Sequence, residues 1–135
     1  MKIETVSSAG LKALQVANEN NVAICLTVID DGGHIIYQIR MDNANYITNE
    51  VSYLKAKTAF LFKCPSHILR TVTEKAPILA QVIKQVPGDA CMLEGGLPLT
   101  FVDKIVGSVS VSGGNFQQDL LVATTFVDCF KKINK

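Results

Sequence analysis

The sequence contains no tryptophan, only two histidines and few charged side chains. Of its 135 residues, 19% are charged and 48% are hydrophobic, and the formal net charge is +1. This composition indicates a compact globular chain and argues against disorder. Nucleic-acid-binding domains carry a basic face or stripe, whereas the lysines here are scattered along the chain. We therefore expect a single domain over residues 1–135 and no nucleic-acid partner.

Long apolar runs are also missing. No stretch approaches the ~20 apolar residues that cross a bilayer, and the opening MKIETVSSAG lacks the apolar core of a secretory signal. No two of the four cysteines have Cys-x-x-Cys spacing, which argues against a zinc site. Because each cysteine lies in or beside an apolar run, we interpret them as free thiols. These features predict a cytoplasmic protein with no membrane partner.

Recognisable catalytic motifs are absent as well. The sequence holds no phosphate-binding P-loop, no Gly-x-Ser-x-Gly and no His-Glu-x-x-His pattern. Its two histidines, His34 and His67, are a small inventory for general acid–base chemistry. His67 is expected at the surface near a helix start. The sequence favours a non-enzymatic protein without deciding the question.

Hydrophobic spacing in the first half predicts a helix, a β-hairpin and a second helix. Apolar residues recur at helical spacing over 3–20, and the β-branched run 22–30 predicts a strand. Asp-Gly-Gly between this run and the strand 34–40 is typical of a hairpin. Helical spacing returns over 46–62, where Thr48 is the expected N-cap. The predicted buried stripe of that helix is Ile47, Val51, Leu54, Thr58 and Leu61.

The second half predicts a crossover, three short strands and a last helix. Residues 65–88 indicate one or two short helices, closed by Pro87-Gly88. Asn115 and Gln118 have the spacing of a capping box at the start of the last helix. The predicted fold is α+β, with α-helices packed on a five-stranded antiparallel sheet in the order α-β-β-α-(α)-β-β-β-α. The three predicted strands cover 90–94, 97–102 and 105–111.

Three sequence blocks, in this order and spacing, resemble those of a known family. Residues 30–44 read DDGGHIIYQIRMDNA, similar to an Asp-x-Gly-Gly-His hairpin followed by Arg-Met-Asp. Residues 55–59 read KAKTA, and residues 95–119 contain GGLPL followed by IVGSVSVSGGNFQQD. Together these blocks resemble the GlcG/HbpS-like family, which includes the C-terminal domain of PduO-type proteins.

The resemblance implies a profilin-like fold and a homo-oligomer, as a dimer, tetramer or octamer. It also implies an association with small-acid, diol or glycolate metabolism. Some relatives bind haem or are credited with haem degradation, so haem or another tetrapyrrole is the expected cofactor. Some PduO-like relatives hold haem iron through a histidine near the N-terminus, whereas the first histidine here is His34.

Candidate ligand-binding residues lie first around the predicted hairpin. His34 is interpreted either as an exposed polar residue or as a haem or metal ligand, because neutral imidazole is the commonest protein ligand for metals. Arg40 and Asp42 point to the same side of the second strand. They are expected to form an ion pair, or Arg40 binds a carboxylate or a haem propionate through two hydrogen bonds.

Two glycine pairs provide the other candidates. Glu94-Gly95-Gly96 and Gly113-Gly114 allow backbone to approach backbone, or backbone to approach a ligand. Gly113-Gly114 also precedes a helix N-terminus, which favours an anion. Lys55 is expected to be solvated or to face another subunit, and Asp119 suits the positive end of the last helix.

Three functions follow from these observations. The first is a ligand-binding protein for haem or another tetrapyrrole, with Arg40 and His34 as ligands. The second is a carrier or enzyme for a small carboxylate or hydroxy acid. The third is a structural or accessory oligomer.

Overall fold

Five helices and four strands make up the part of the chain that the computed structural model describes, residues 1–85 and 90–135. The predicted closing turn at Pro87-Gly88 lies outside the described residues. The elements are α1 (Ile3–Glu19), β1 (Cys25–Asp30), β2 (Ile35–Arg40), α2 (Thr48–Phe62), α3 (Ile68–Lys75), α4 (Pro77–Lys84), β3 (Gly96–Phe101), β4 (Lys104–Ser112) and α5 (Phe116–Ile133). None of these helices is long and apolar enough to cross a membrane.

The strands form one antiparallel sheet in the order β2-β1-β4-β3. Cys25 at the start of β1 pairs with Arg40 on one side and with Ser112 on the other. Helices α1 and α5 pack against each other on one face of the sheet, and α2 covers the opposite face. The α+β class is therefore confirmed, as three layers with the sheet in the middle.

The apolar core lies between the sheet and the α1–α5 pair. Leu26, Val28, Val109 and Val111 point to this side and are fully buried, as the alternation along β4 predicts. Phe126 and Phe130 of α5 are stacked, with ring centroids 6.2 Å apart. Burying each side chain of this size contributes about 1.5–3 kcal/mol, so this layer provides most of the hydrophobic stabilisation.

The face of the sheet that meets α2 is polar but equally buried. The hydroxyl of Ser108 donates to the Ala56 carbonyl at 2.6 Å, and the hydroxyl of Ser110 donates to the Ser52 carbonyl. The Thr27 and Ser52 hydroxyls share a hydrogen bond of 2.6 Å. Since small hydroxyl side chains bring α2 close and satisfy buried oxygens, this layer is held by hydrogen bonds as well as packing.

The predicted buried stripe of α2 is wrong at its two ends, and its middle residues Val51 and Leu54 are only half-buried. Ile47 and Leu61 are 59% and 50% exposed, whereas Thr58 is buried as predicted. The helix instead buries its small and polar face, because that face matches the hydroxyls of the sheet. Thr48 is not the N-cap either, since Ile47 occupies that position. The buried residues of α2 are Thr48, Ser52, Lys55, Ala56, Thr58 and Ala59.

The fifth predicted strand, over 90–94, is also wrong, and residues 90–95 include no strand. The Cys91 amide donates to the Thr58 hydroxyl at 2.9 Å, and the Leu93 carbonyl accepts from the Ser66 hydroxyl. Because side chains satisfy these backbone groups, the segment does not need a neighbouring strand. The sheet therefore has four strands. The hairpin and the Asn115–Gln118 capping box are confirmed.

Candidate functional site

The structure places the sequence-predicted site residues at two ends of the sheet. His34 lies at the tip of the β1–β2 hairpin, whereas Arg40 ends β2 at the opposite end of that strand. Six residues at about 3.3 Å each separate them by about 20 Å. The glycine pairs lie at the Arg40 end, since Cys25 pairs with both Arg40 and Ser112. The structure thus separates His34 from all the other candidates.

The hairpin tip holds His34 in the open. Its side chain is 81% exposed, and Nδ1 lies 3.5 Å from Asp30 Oδ1. The same Asp30 oxygen accepts the backbone N–H groups of His34 and Gly32, both at 2.9 Å. The hydrogen bond from the His34 amide is the main reason that the pKa of Asp30 lies below its ordinary value. These contacts stabilise the turn and leave the imidazole ring accessible.

An open groove of about 410 Å³ follows β2, lined by Arg40 to Tyr46, and we call it the Arg40 groove. Arg40 Nη1 donates to Asn49 Oδ1 at 2.8 Å, and its Cζ lies 4.8 Å from the centre of the Tyr46 ring. The expected Arg40–Asp42 ion pair is not formed. Among the described residues, salt bridges join Asp30 to His34, Lys55 to Asp119 and Arg70 to Glu94.

A second pocket, of about 430 Å³, lies on the other side of the same segment. It shares Arg40 to Asn43 with the groove and reaches Leu14 and Asn18 of α1. The other guanidinium N–H groups of Arg40 have no acceptor among the described residues, and the Tyr46 ring is 83% exposed. This end of the sheet therefore combines free carboxylate-binding donors with an exposed aromatic face.

Gly95 and Gly96 lie where their own backbone packs closely against the backbone of β4 and of α2. The Gly95 carbonyl accepts the Val111 amide at 3.1 Å, and Gly96 exchanges hydrogen bonds with Ser66. A Cβ on Gly96 would stand 2.4 Å from the Lys55 carbonyl oxygen. The sequence left open whether these glycines allow backbone to approach backbone or backbone to approach a ligand. In the structure they allow two backbone segments to approach closely.

Lys55, expected to be solvated or to face another subunit, is instead buried in an ion pair. It is 2% exposed, and its Nζ donates to Asp119 Oδ2 and to the Val111 carbonyl, both at 3.0 Å. Asp119 Oδ1 accepts the Gly114 amide at 2.8 Å. Burial raises the pKa of Asp119, and the charge of Lys55 and the Gly114 hydrogen bond oppose that rise. The anion beside the Gly113-Gly114 turn is thus the chain's own carboxylate.

Glu94 forms a second ion pair beside the first. Arg70 of α3 donates to both carboxylate oxygens, and its Cζ lies 5.7 Å from the centre of the Phe116 ring. Burial by itself raises the pKa of Glu94. The hydrogen bonds from Arg70 and its positive charge outweigh burial, so the pKa lies below its ordinary value. Through this ion pair, Glu94 holds α3 against the segment that precedes β3.

The depressed pKa of Glu94 predicts a pH-dependent stability. A carboxyl with a lowered folded pKa stabilises the protein above its ordinary pKa of 4.5, and this stabilisation is lost as pH falls through the lower, folded value. Because the Arg70 side chain is 39% exposed, solvent screens its charge and reduces the contribution of the Arg70–Glu94 ion pair to stability. Glu94→Gln should lower the free energy of unfolding by about 1 kcal/mol at pH 7. Urea unfolding at several pH values should show this difference shrinking below pH 4.5.

Glu74→Gln, on the exposed side of the same helix, provides the control for this measurement. It should leave stability at pH 7 within about 0.5 kcal/mol of the original protein. A loss in Glu94→Gln that persists unchanged in acid would contradict the ion pair as its cause.

Sequence reasoning named Lys55 but placed it wrongly at the surface, and it missed Arg70 and Tyr46. One signal could have found Lys55, since Ser52, Ala56 and Ala59 surround it with small residues at helical spacing. Such a face allows close packing and marks a buried side. Nothing comparable in the sequence distinguishes Arg70 or Tyr46.

The order of elements and the sequence blocks now have a counterpart among known proteins. Residues 1–128 match the family described as haem degrading protein HbpS-like. The chain belongs to the HbpS-like family. Protein GlcG of Escherichia coli K12 is 34% identical over 71% of this chain and 69% of its own length. An uncharacterised 15.0 kDa protein from the dhaT–dhaS intergenic region of Citrobacter freundii is 31% identical over 98% of this chain and 96% of its own.

Solved structures of other proteins share the fold. The crystal structure of the Klebsiella pneumoniae protein ORFY has a TM-score of 0.90 and 29% identity, covering 97% of this chain and 90% of its own. A crystal structure of a PduOC–haem complex has a TM-score of 0.88 and 23% identity, covering 96% and 94%. At that identity, the second comparison establishes the fold alone.

Proposed function

We propose that this HbpS-like chain is a non-enzymatic binding protein for haem or another tetrapyrrole, held in the Arg40 groove. The observation that carries the proposal is Arg40 itself, whose other N–H donors have no acceptor among the described residues and whose guanidinium lies over the exposed Tyr46 ring. Arginine suits planar, bidentate recognition of carboxylates such as propionates. The face of the Tyr46 ring that Arg40 does not cover is left for a macrocycle.

The residues of the groove fit a tetrapyrrole at its edge and its face. Tyr46 is 83% exposed and the following Ile47 is 59% exposed, so apolar surface lies next to the cation. Asp42 also lines the groove and would accept a hydrogen bond only from a donor group of the ligand, which an ionised propionate does not provide. When bound, haem would supply its own iron chemistry. The chain's residues would bind and orient the macrocycle.

His34 would be an iron or metal ligand only in the alternative case of a macrocycle bound at the hairpin tip. Its distance of about 20 Å from Arg40 places the two residues in different sites of one chain. Among the described residues, no group of three His, Cys, Asp or Glu side chains could hold a free metal ion. The hairpin tip and the Arg40 groove are thus two locations that one titration can distinguish.

The relatives support the ligand class. The matching family is described as haem degrading, and a protein of the same fold forms a complex with haem. The Citrobacter relative from the dhaT–dhaS intergenic region supports a proposed association with diol or small-acid metabolism. All four cysteines are free, which suits the reducing cytoplasm that we propose as its compartment.

We further propose that the protein forms a homo-oligomer through its outward apolar side chains. Ile47 and Leu61, at the two ends of α2, are 59% and 50% exposed, and Ile78 and Val82 of α4 are 64% and 55% exposed. Large apolar side chains exposed in this way are available for association with another subunit. Because Ile47 adjoins Tyr46, association and ligand binding would involve neighbouring residues.

Absorbance titration with hemin tests the proposal, with the molar mass measured by light scattering before and after. A saturable Soret shift at one site per chain is expected, together with a mass above that of a monomer. Arg40→Ala should weaken the affinity about tenfold, because a charge-assisted hydrogen-bonded pair is lost. Lys104→Ala, at the β3–β4 turn, is the matched control and should bind as the original protein does.

Each other outcome of this titration has a defined meaning. Absence of a saturable shift at micromolar hemin would reject the tetrapyrrole proposal. Weaker binding in His34→Ala, with Arg40→Ala unchanged, would move the site to the hairpin tip. The alternative of a carrier or enzyme for a small carboxylate would need the amides at Gly113-Gly114, where Gly114 already donates to Asp119.

A further inference from the structure

A separate cavity lies at the start of α1, away from the Arg40 groove. Its volume is about 510 Å³, within the range of small-molecule sites. It forms where the first turn of α1 meets the last turn of α5 and the β3–β4 hairpin. Five of its nine lining residues are apolar, namely Met1, Phe101, Val106, Phe130 and Ile133.

The N-terminus of α1 opens into this cavity without a cap. Lys2 occupies the N-cap position with extended backbone and makes no side-chain capping hydrogen bond. The amides of Ile3, Glu4 and Thr5 have no acceptor among the described residues. A helix of 17 residues carries a full positive dipole end at such a terminus. By contrast, α5 satisfies its start with a capping box.

Thr5 provides independent evidence for a ligand at the same place. It is 7% exposed and lines the cavity, yet its hydroxyl makes no hydrogen bond with any described residue. The hydroxyl is open to the cavity, since the buried side-chain atom without a partner among the described residues is His67 Nδ1 and not Thr5 Oγ1. It can therefore donate to a group in the cavity. A ligand oxygen in the cavity would accept from this hydroxyl.

The charges around the cavity favour an anion. Lys2 and Lys135 line it, and no carboxylate side chain does. Glu4, in the first turn of α1, is exposed and is not among the lining residues. The negative C-terminal end of α5 also approaches here, and Lys131 and Lys132 in its last turn offset that end.

We infer that this cavity binds a monocarboxylate with an apolar tail. The carboxylate accepts from the free amides of the first turn and from the Thr5 hydroxyl, with Lys2 as its counter-ion. The tail lies against Phe101, Val106 and Ile133. This site is additional to the proposed tetrapyrrole site and shares no residue with it.

Calorimetric titration with sodium octanoate tests the inference on the full chain, with acetate and 1-octanol as comparison ligands. Octanoate should bind saturably at one site per chain. Acetate lacks the tail and octanol lacks the charge, so both should bind about tenfold more weakly or not at all. Lys2→Glu should weaken octanoate binding about tenfold, because it places a negative charge beside the carboxylate.

Two further variants make the result specific. Lys12→Glu changes the net charge equally at an exposed position about three turns along α1 from Lys2 and should bind octanoate unchanged. Thr5→Val keeps the shape but removes the hydroxyl, and it should weaken octanoate more than octanol. Absence of saturable octanoate binding at millimolar concentration would overturn the inference, as would equal losses in Lys2→Glu and Lys12→Glu. Displacement of hemin by octanoate would place the carboxylate in the Arg40 groove instead.

Discussion

Replacing Lys55 by methionine should lower the free energy of unfolding by about 3–5 kcal/mol, the largest loss expected from a single change in this protein. The substitution leaves the Asp119 carboxylate buried, at 2% exposure, without its counter-charge. It also leaves the Val111 carbonyl without its 3.0 Å donor. Urea unfolding followed by circular dichroism measures the loss directly.

A double variant separates the loss of charge balance from the loss of packing. Lys55→Met with Asp119→Asn contains no buried charge and keeps an acceptor for the Gly114 amide. It should recover most of the stability that the single variant loses, because an unpaired buried charge costs more than a neutral replacement pair. Lys57→Met, on the same helix and without an ion pair among the described residues, should change stability by less than about 1 kcal/mol. A loss as small as that in Lys55→Met would contradict the account.

Gly95→Ala should destabilise the protein by about 3 kcal/mol. Gly95 has φ +120°, which residues with a side chain rarely adopt, and a Cβ there would stand 2.4 Å from the Val111 carbonyl oxygen. The same Cβ would lie 3.3 Å from Lys55 Nζ and 3.2 Å from Asp119 Cβ. The new methyl group would therefore displace the buried ion pair. Thermal and urea unfolding should both show the loss.

Gly33→Ala is the matched control for this substitution. Gly33 also has positive φ, at +81°, but a Cβ there meets nothing within 4 Å. Its cost should be the backbone strain alone, about 1 kcal/mol. Equal losses in the two variants would show that close approach to Val111 and Lys55 does not matter at Gly95.

The parts of the fold that depend on local sequence were predictable. Asp-Gly-Gly determines the hairpin, and the Asn115–Gln118 pair determines where α5 begins, since each signal acts within a few residues. The strand over 90–94 and the stripe of α2 were not predictable in this way. Both depend on what a distant segment presents, such as the Thr58 hydroxyl that accepts the Cys91 amide.

In the candidate site, too, features set by local sequence were predictable and contacts between distant segments were not. Arg40 could be singled out because it ends a recognisable hairpin strand, although its partners Tyr46 and Asn49 could not. Lys55 and Asp119 are 64 residues apart in sequence, and no local pattern pairs them. Their pairing appears only when α2 and the start of α5 meet beside Gly95. Contacts between distant segments therefore had to come from the structure.

The location of the tetrapyrrole is tested most directly by amide NMR of the labelled protein with hemin and with zinc protoporphyrin. Signals lost with paramagnetic iron but retained with zinc identify the residues nearest the metal. The account predicts that these losses centre on Arg40 to Ile47. Losses centred on residues 31–35 of the hairpin tip, with the groove unaffected, would contradict it.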